Sequence, residues 1–275
     1  MKIYIKNKPI TEINRESIED YRLVDSLYLK TKIAYQVINA EPINNNFWTV
    51  NFNDNSENSF DFDKRRVRLG LKTDLEKARM LRAITDLNSL ENFCLPLHAG
   101  LIQYKTTSIF LFADTKQGKS TTCYNLSQEK GIHLIGDDHI VLGNGFALGN
   151  GVLRIRNNDG VDGMGENYRK VQENIGTIYN YKIFIVKFGN DKKHEEVKSS
   201  ELLTDHSLLY MVKKYLDRNI ITQFDNKKLE DIVDKKLLQR YDNLYYEFIN
   251  YSSIIHRIEG TPQYISDWII NDLKK

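Results

Sequence analysis

The sequence predicts an α/β fold, with a phosphate-loop domain over residues 93–275 preceded by a smaller β-rich region over 1–92. Three observations carry this. A nearly all-apolar run, TSIFLFA at 107–113, leads through a glycine-containing loop into a helix-forming segment, STTCYNLSQEKG. Apolar runs of strand length then recur at 133–135, 140–142, 152–156, 182–188 and 252–258, with helical segments between the later ones. Upstream, short β-prone runs are broken by the turn-forming stretches EPINNN and NDNSENS.

In chain order, KIYIK at 2–6, TKIAYQVI at 31–38 and FWTVNFN at 47–53 read as strands. From Thr73 to Asn88, the residues Leu75, Ala78, Leu81, Ile84 and Leu87 fall at helical spacing, and Thr73-Asp74 with Glu76 behind it supplies a cap. That helix closes the first region. After Pro96, HAGLIQY at 98–104 and TSIFLFA make a hairpin or neighbouring strands around Lys105-Thr106. A helix over 119–129 follows, then the strands HLI (133–135) and IVL (140–142) on either side of two aspartates. Glycines at 143, 145, 149 and 151 mark a turn-rich stretch before VLRIR at 152–156, and 157–180 reads as a polar, mobile loop. KIFIVKF at 182–188 is a strand and 190–201 a charged stretch; helices are expected over 206–217, over 227–250 and from Pro262, with the strand SSIIHRI at 252–258 between the last two.

Composition excludes several classes. The 275 residues carry 39 Lys+Arg against 37 Asp+Glu, a formal charge of +2, with 41% apolar and 28% charged residues. No overall field of that size implies a nucleic-acid partner. The cluster Lys64-Arg65-Arg66-Val67-Arg68 lacks aromatic interleaving and reads as a solvated face or a contact for an acidic partner. No run approaches the ~18 apolar residues of a membrane span. The start, MKIYIKNKPITEIN, lacks the apolar stretch of a signal peptide, so a cytoplasmic protein is expected. Cys94 and Cys123 form no CxxC and no Cys/His group at metal-ligand spacing, which argues against a disulfide framework or a structural zinc and leaves two buried thiols.

The chemistry concentrates in Ala113-Asp114-Thr115-Lys116-Gln117-Gly118-Lys119-Ser120, a phosphate-binding loop with alanine in place of the first glycine of G-x-x-x-x-G-K-[ST]. Such a loop wraps a phosphate with consecutive backbone N–H groups at a helix N-terminus, and Gly118 supplies the close approach. Ala113 is tolerable unless its φ must be positive. Asp114, Thr115, Lys116, Gln117, Gly118, Lys119, Ser120 and Thr121 are therefore the candidate nucleotide contacts. Lys119 would bridge the β- and γ-phosphates of ATP and Ser120 would ligate Mg²⁺. As a loop residue, Lys119 is expected to serve the ligand and not the core.

Asp137-Asp138 follows a strand and lies 18 residues beyond Lys119. A helix, a loop and a returning strand use that distance, which puts two carboxylates near the phosphates, suited to Mg²⁺ and to accepting a proton. His98, opening the strand beside TSIFLFA, reads first as structural. Arg154 and Arg156 alternate on one strand and can both reach a polyphosphate, with solvated arginines as the alternative. Tyr245-Tyr246-Glu247-Phe248 packs a helix into the core.

Residues 96–142, PLHAGLIQYKTTSIFLFADTKQGKSTTCYNLSQEKGIHLIGDDHIVL, resemble the catalytic domain of HPr kinase/phosphorylase and its kinase-like relatives and, more distantly, phosphoenolpyruvate carboxykinases. The order of a His-small-apolar strand, phosphate loop, helix, short strand and Asp-Asp is the same, and the short distance from Gly-Lys-Ser to Asp-Asp is its specific part. The resemblance covers 96–188, extends through IIHRIEGTPQYISDWII, and does not cover 1–90. It implies phosphoryl transfer from a nucleoside triphosphate to a serine hydroxyl, with Lys119 and Ser120 as phosphate and metal ligands. It also implies Asp137 as the catalytic base, with Asp138 its neighbour, and a functional His98; Asp138 is then the candidate metal ligand, and the two aspartates could exchange these roles. The family's Glu-Ile-Arg-Gly motif is here Arg154-Ile155-Arg156-Asn157, which favours kinase activity alone over a bifunctional enzyme. Relatives act on small proteins, ribosomally made peptides or small molecules, so a small-metabolite kinase and a non-catalytic nucleotide-binding module stay open. The β-rich region 1–92 is a candidate surface for acceptor recognition. Acceptor identity, ATP against GTP, and whether the chain forms a homo-oligomer are not fixed by the sequence.

Overall fold

The β-prone runs at the start of the chain become β1 (Lys2–Lys6), β2 (Glu12–Asn14), β3 (Gln36–Ile38), β4 (Phe47–Phe52), β5 (Ser59–Asp61) and β6 (Arg66–Leu69). These form one six-stranded sheet in the order β3-β2-β1-β4-β6-β5. The structure, a computed structural model, describes residues 2–6, 12–14, 36–38, 47–52, 59–61, 63–70, 73–114, 116–150, 152–154, 168–171, 174–203, 233–252 and 254–275. Strand alternation sets the faces. Trp48, Val50 and Phe52 of β4 and Val67 of β6 are buried, whereas Arg66 and Arg68 are exposed. The basic cluster is thus a strand with solvated arginines, and Lys64 and Arg65 pair with Asp61 and Glu91 at 3.3 and 3.5 Å.

Helix α1 (Asp74–Glu91) joins the same buried cluster as Trp48 and Val67. Its spacing predicts one apolar stripe, and Ala78, Leu81, Ile84 and Leu87 do lie inside. The helix is nonetheless enclosed all round from Met80 to Leu90, with Arg82, Thr85, Asp86, Asn88 and Ser89 buried as well. The hydroxyls of Thr85 and Ser89 satisfy themselves by donating to the carbonyls of Arg82 and Thr85, at 2.7 and 2.8 Å.

The central sheet comprises β8 (Gly100–Tyr104), β9 (Thr107–Phe112), β10 (Ile132–Gly136), β16 (Asn180–Phe188), β17 (Lys193–Lys198) and β18 (Ile254–Gly260), ordered β10-β8-β9-β16-β18-β17. β9, β16 and β18 are parallel; the outer strands run antiparallel. The TSIFLFA run is apolar throughout because both its faces are covered. Phe110 and Phe112 pack with α1 and with α4 (Lys235–Tyr251). Ile109 and Leu111 pack with α2 (Lys119–Ser127) and α5 (Pro262–Leu273). Tyr245 and Phe248 of α4 are buried and Tyr246 is exposed.

A second, antiparallel sheet runs β15-β12-β11-β7, from β7 (Leu95–Leu97), β11 (Ile140–Gly143), β12 (Phe146–Gly149) and β15 (Ile175–Thr177). β13 (Val152–Arg154) pairs with β14 (Tyr168–Lys170). Two connections cross between the sheets: β7 passes through His98 to β8, and β10 passes through Asp137-Asp138-His139 to β11. Where β10 meets β12 the backbones touch: a Cβ on Gly149 would lie 2.1 Å from the Ile135 carbonyl oxygen. Only glycine fits there.

Several elements differ from expectation. The turn-rich stretch contains β12, the stretch expected as a mobile loop contains β14 and β15, and the charged stretch is strand β17 followed by the short helix α3 (Ser199–Leu202). Lysines and glutamates suit β17 because it is an edge of the sheet and faces water. The helix expected at 206–217, the start of the one at 227–250, and 155–167 lie outside the described residues. Both cysteines are buried and free. No described helix is long and apolar enough to cross a membrane.

Candidate active site

The site grows from the end of β9. Between Phe112 and α2 the Gln117 N–H donates to the Asp114 carbonyl at 3.1 Å. Gly118 is the N-cap of α2 at φ 97° and makes no side-chain cap bond. A Cβ there would lie 2.0 Å from the ring of Phe188, so glycine is required both for the left-handed turn and for the space. Ala113 is buried and has no positive φ, so its methyl group costs the turn nothing. The first turn of α2 thus has no side-chain cap, and its N–H groups are a set of donors with the helix dipole behind them.

Lys119, the first residue of α2, turns back beneath the loop and is only 6% exposed. Its ammonium bonds the Asp137 carboxylate and lies 3.1 Å from Asp138 Oδ1. The Ser120 hydroxyl is near enough to Asp137 to favour its ionised form. The expectation that Lys119 serves a ligand and not the core is therefore corrected: the ammonium is buried and neutralises two carboxylates.

The acidic turn is held from three sides. The Asp137 N–H donates to Asn150 Oδ1 at 2.6 Å, and the Asn150 amide donates to the Val152 carbonyl at 2.8 Å, which pins the turn to β13. Asp138 has φ 80°, a conformation non-glycine residues rarely hold unless the surroundings enforce it. Its carbonyl oxygen accepts from His98 Nδ1 at 2.8 Å and from Arg82 Nη2 at 3.1 Å. A carbonyl only accepts, so Nδ1 carries the His98 proton and Nε2 keeps its lone pair, 3.7 Å from Asp138 Oδ1. Behind this, Arg82 lies 3.9 Å from Asp86, and Asp86 Oδ1 lies 2.7 Å from His139 Nε2.

Electrostatics follow from burial. Burial raises the Asp137 carboxyl above the usual carboxylate value in spite of Lys119, which makes it a better base. Burial opposes charge on Lys119 too, but Asp137 and Asp138 outweigh it and keep the ammonium protonated. Burial pushes His98 down to about 3 and lowers His139, so both imidazoles are neutral.

Of the residues singled out from sequence, Lys119, Ser120, Asp137, Asp138 and His98 meet at one point. Gly118, Gln117 and Thr121 are half-buried beside them, and Asp114 and Lys116 are exposed. Thr115, Arg156 and the side chain of Arg154 lie outside the described residues; the Arg154 backbone pairs with Tyr168. Sequence reasoning missed Arg82, Asp86, His139 and Asn150. The i, i+4 spacing of Arg82 and Asp86 and the position of His139 directly after Asp138 were the available signals; Asn150, between two glycines, offered none. Comparison with protein-family models and with curated proteins found no match for the chain.

Proposed function

We propose that this protein is a Mg²⁺-dependent phosphotransferase of the HPr kinase-like type, moving the γ-phosphate of ATP to a serine or other hydroxyl of a small protein or ribosomally made peptide. The observation that carries the reading is Lys119, at the uncapped N-terminus of α2, with its ammonium between Asp137 and Asp138. The resemblance of residues 96–142 to that family, which includes these same residues, is in line with it.

The donor set fits ATP and Mg²⁺. Backbone N–H groups of Lys119, Ser120 and Thr121 suit phosphate oxygens, and the Ser120 hydroxyl and Asp138 carboxylate are the hard oxygen ligands Mg²⁺ prefers. Bound there, the metal would neutralise charge on the β- and γ-phosphates. Lys119 exchanges a carboxylate for a phosphate when nucleotide enters, which frees Asp137. Asp137 accepts the proton of the acceptor hydroxyl as the new O–P bond forms and the bond from γ-phosphorus to the β–γ bridging oxygen breaks, releasing ADP. His98 and Arg82 hold the Asp138 backbone in its strained turn and so position its carboxylate.

A second reading, a nucleotide-binding module that transfers nothing, is favoured by the sequence Arg154-Ile155-Arg156-Asn157, which lacks the acid and the glycine of the family's motif. Incubation with γ-labelled ATP, Mg²⁺ and candidate acceptors separates the two. Label on a hydroxyl supports the phosphotransferase; nucleotide binding without transfer supports the module.

A further inference from the structure

On the far side of the central sheet from β8 and β10, three metal-ligating side chains converge that the proposed reaction does not use. His194 and Glu196 are two residues apart on edge strand β17 and so project from the same face, while Glu196 is directly opposite His256 in the antiparallel pairing with β18. His194 Nε2 lies 3.2 Å from His256 Nδ1, and Glu196 Oε1 lies 3.9 Å from the same His256 nitrogen. All three donor atoms fall within 4.8 Å of one another.

We propose that His194 Nε2, His256 Nδ1 and a Glu196 carboxylate oxygen form a binding site for a zinc-class divalent transition-metal ion, with water completing a tetrahedral shell. Metal–nitrogen bonds of ~2.0–2.1 Å set two tetrahedral ligands ~3.3 Å apart, close to the observed separation of the imidazole nitrogens. Glu196 needs only a small side-chain rotation to close the third position. Two imidazoles and one carboxylate select zinc and its first-row neighbours over Mg²⁺, which favours oxygen ligands alone. This site and the Mg²⁺ chemistry proposed for Ser120 and Asp138 are therefore chemically distinct.

The rings are held for the purpose. His194 stacks on Trp268 of α5 at 4.1 Å between centroids, and His256 stacks on Phe184 of β16 at 5.0 Å. Packing of this kind fixes ring planes before a ligand arrives. His256 is buried, whereas His194 and Glu196 are exposed, so one side of the site faces solvent and gives the ion both an entry path and room for water. Bound there, the metal clips the charged edge strand β17 to β18. Spacing along the sequence could not reveal the site because 62 residues separate the two histidines; the strand pairing brings them together.

The test uses the untagged full chain, stripped with a chelator and titrated with Zn²⁺ by calorimetry, then with Co²⁺ by visible absorption. One Zn²⁺ per chain and the absorption of four-coordinate Co²⁺ are expected. Zn²⁺ affinity should fall at least ~10-fold in both His194→Gln and Glu196→Gln, in line with the loss of one ligand. Both positions are exposed, so the variants should fold. Asp138→Asn should leave Zn²⁺ binding unchanged. Absence of stoichiometric binding, unchanged affinity in His194→Gln, or loss of Zn²⁺ binding in Asp138→Asn would each overturn the proposal.

Discussion

His139 and Asp86, 53 residues apart in sequence, meet at 2.7 Å in a fully enclosed setting and brace α1 against the acidic turn. Arg82 completes the brace, reaching Asp86 with Nε and the Asp138 carbonyl with Nη2. Asp86→Ala removes the carboxylate that Arg82 and His139 share. Breaking a buried pair from one side costs about 3–5 kcal/mol, so a lowered Tm is expected in thermal unfolding. A loss below about 1 kcal/mol, the worth of an exposed pair, would mean that the contact braces nothing.

Lys119→Ala should act twice. It removes the cation that would bind phosphate, so ATP·Mg²⁺ affinity should be lost. It also leaves Asp137 and Asp138 facing each other, so the fold should be destabilised by a few kcal/mol, on the order expected for a buried ion pair broken from one side. The double variant Lys119→Ala/Asp137→Asn should recover part of that stability but none of the binding. Full stability in the single variant would show that the lysine is not needed to neutralise the pair.

Gly118→Ala meets two obstacles, the positive φ and the Phe188 ring. Stability should fall by about 1–3 kcal/mol and nucleotide affinity with it. Shortening the neighbour in Gly118→Ala/Phe188→Leu should relieve the clash but not the turn, so chemical denaturation should show only partial recovery. Complete rescue would mean that the dihedral angle is irrelevant.

Acid should weaken the fold through His98. Burial holds it at about 3 against an ordinary value of 6.5. Between those values the unfolded histidine takes up a proton and the native one does not, so stability is lost as pH falls below about 6.5. At pH 4.5 the loss from this residue is about 2–3 kcal/mol. His139, also lowered, acts in the same direction. In His98→Gln the slope of stability between pH 6.5 and 4.5 should flatten; an unchanged slope would contradict burial of a neutral imidazole.

The legible parts were those where one physical rule dominates. Within TSIFLFA, HLI, IVL, KIFIVKF and SSIIHRI the apolar cores, TSIFLF and IIHRI among them, are read correctly as strands because burial favours apolar runs, and α2 is read from its glycine and its loop. The illegible parts are where tertiary context overrides local pattern. β17 reads as a charged stretch because an edge strand is free to be polar, and β12 is hidden by glycines that its contact with β10 requires. Arg82 and Asp86 occupy positions that helical spacing assigns to solvent, yet both are buried and reach Asp138 and His139 of the acidic turn. Within the site, Lys119, Ser120, Asp137 and Asp138 were legible from motif and spacing, whereas the turn that holds the aspartates depends on Asn150 and His139, which no periodicity marks.

The most direct test is phosphorylation of a serine-peptide array with γ-labelled ATP and Mg²⁺, run side by side with the wild-type chain and Asp137→Asn, with nucleotide affinity measured in parallel. Label should appear on serine-bearing peptides with the wild type. It should fall by about 10²–10⁴ with Asp137→Asn, the span expected when a general base is lost, while nucleotide affinity stays within about threefold because the amide is nearly isosteric. Equal labelling by the two chains, or a wild-type chain that fails to bind ATP·Mg²⁺, would contradict the account.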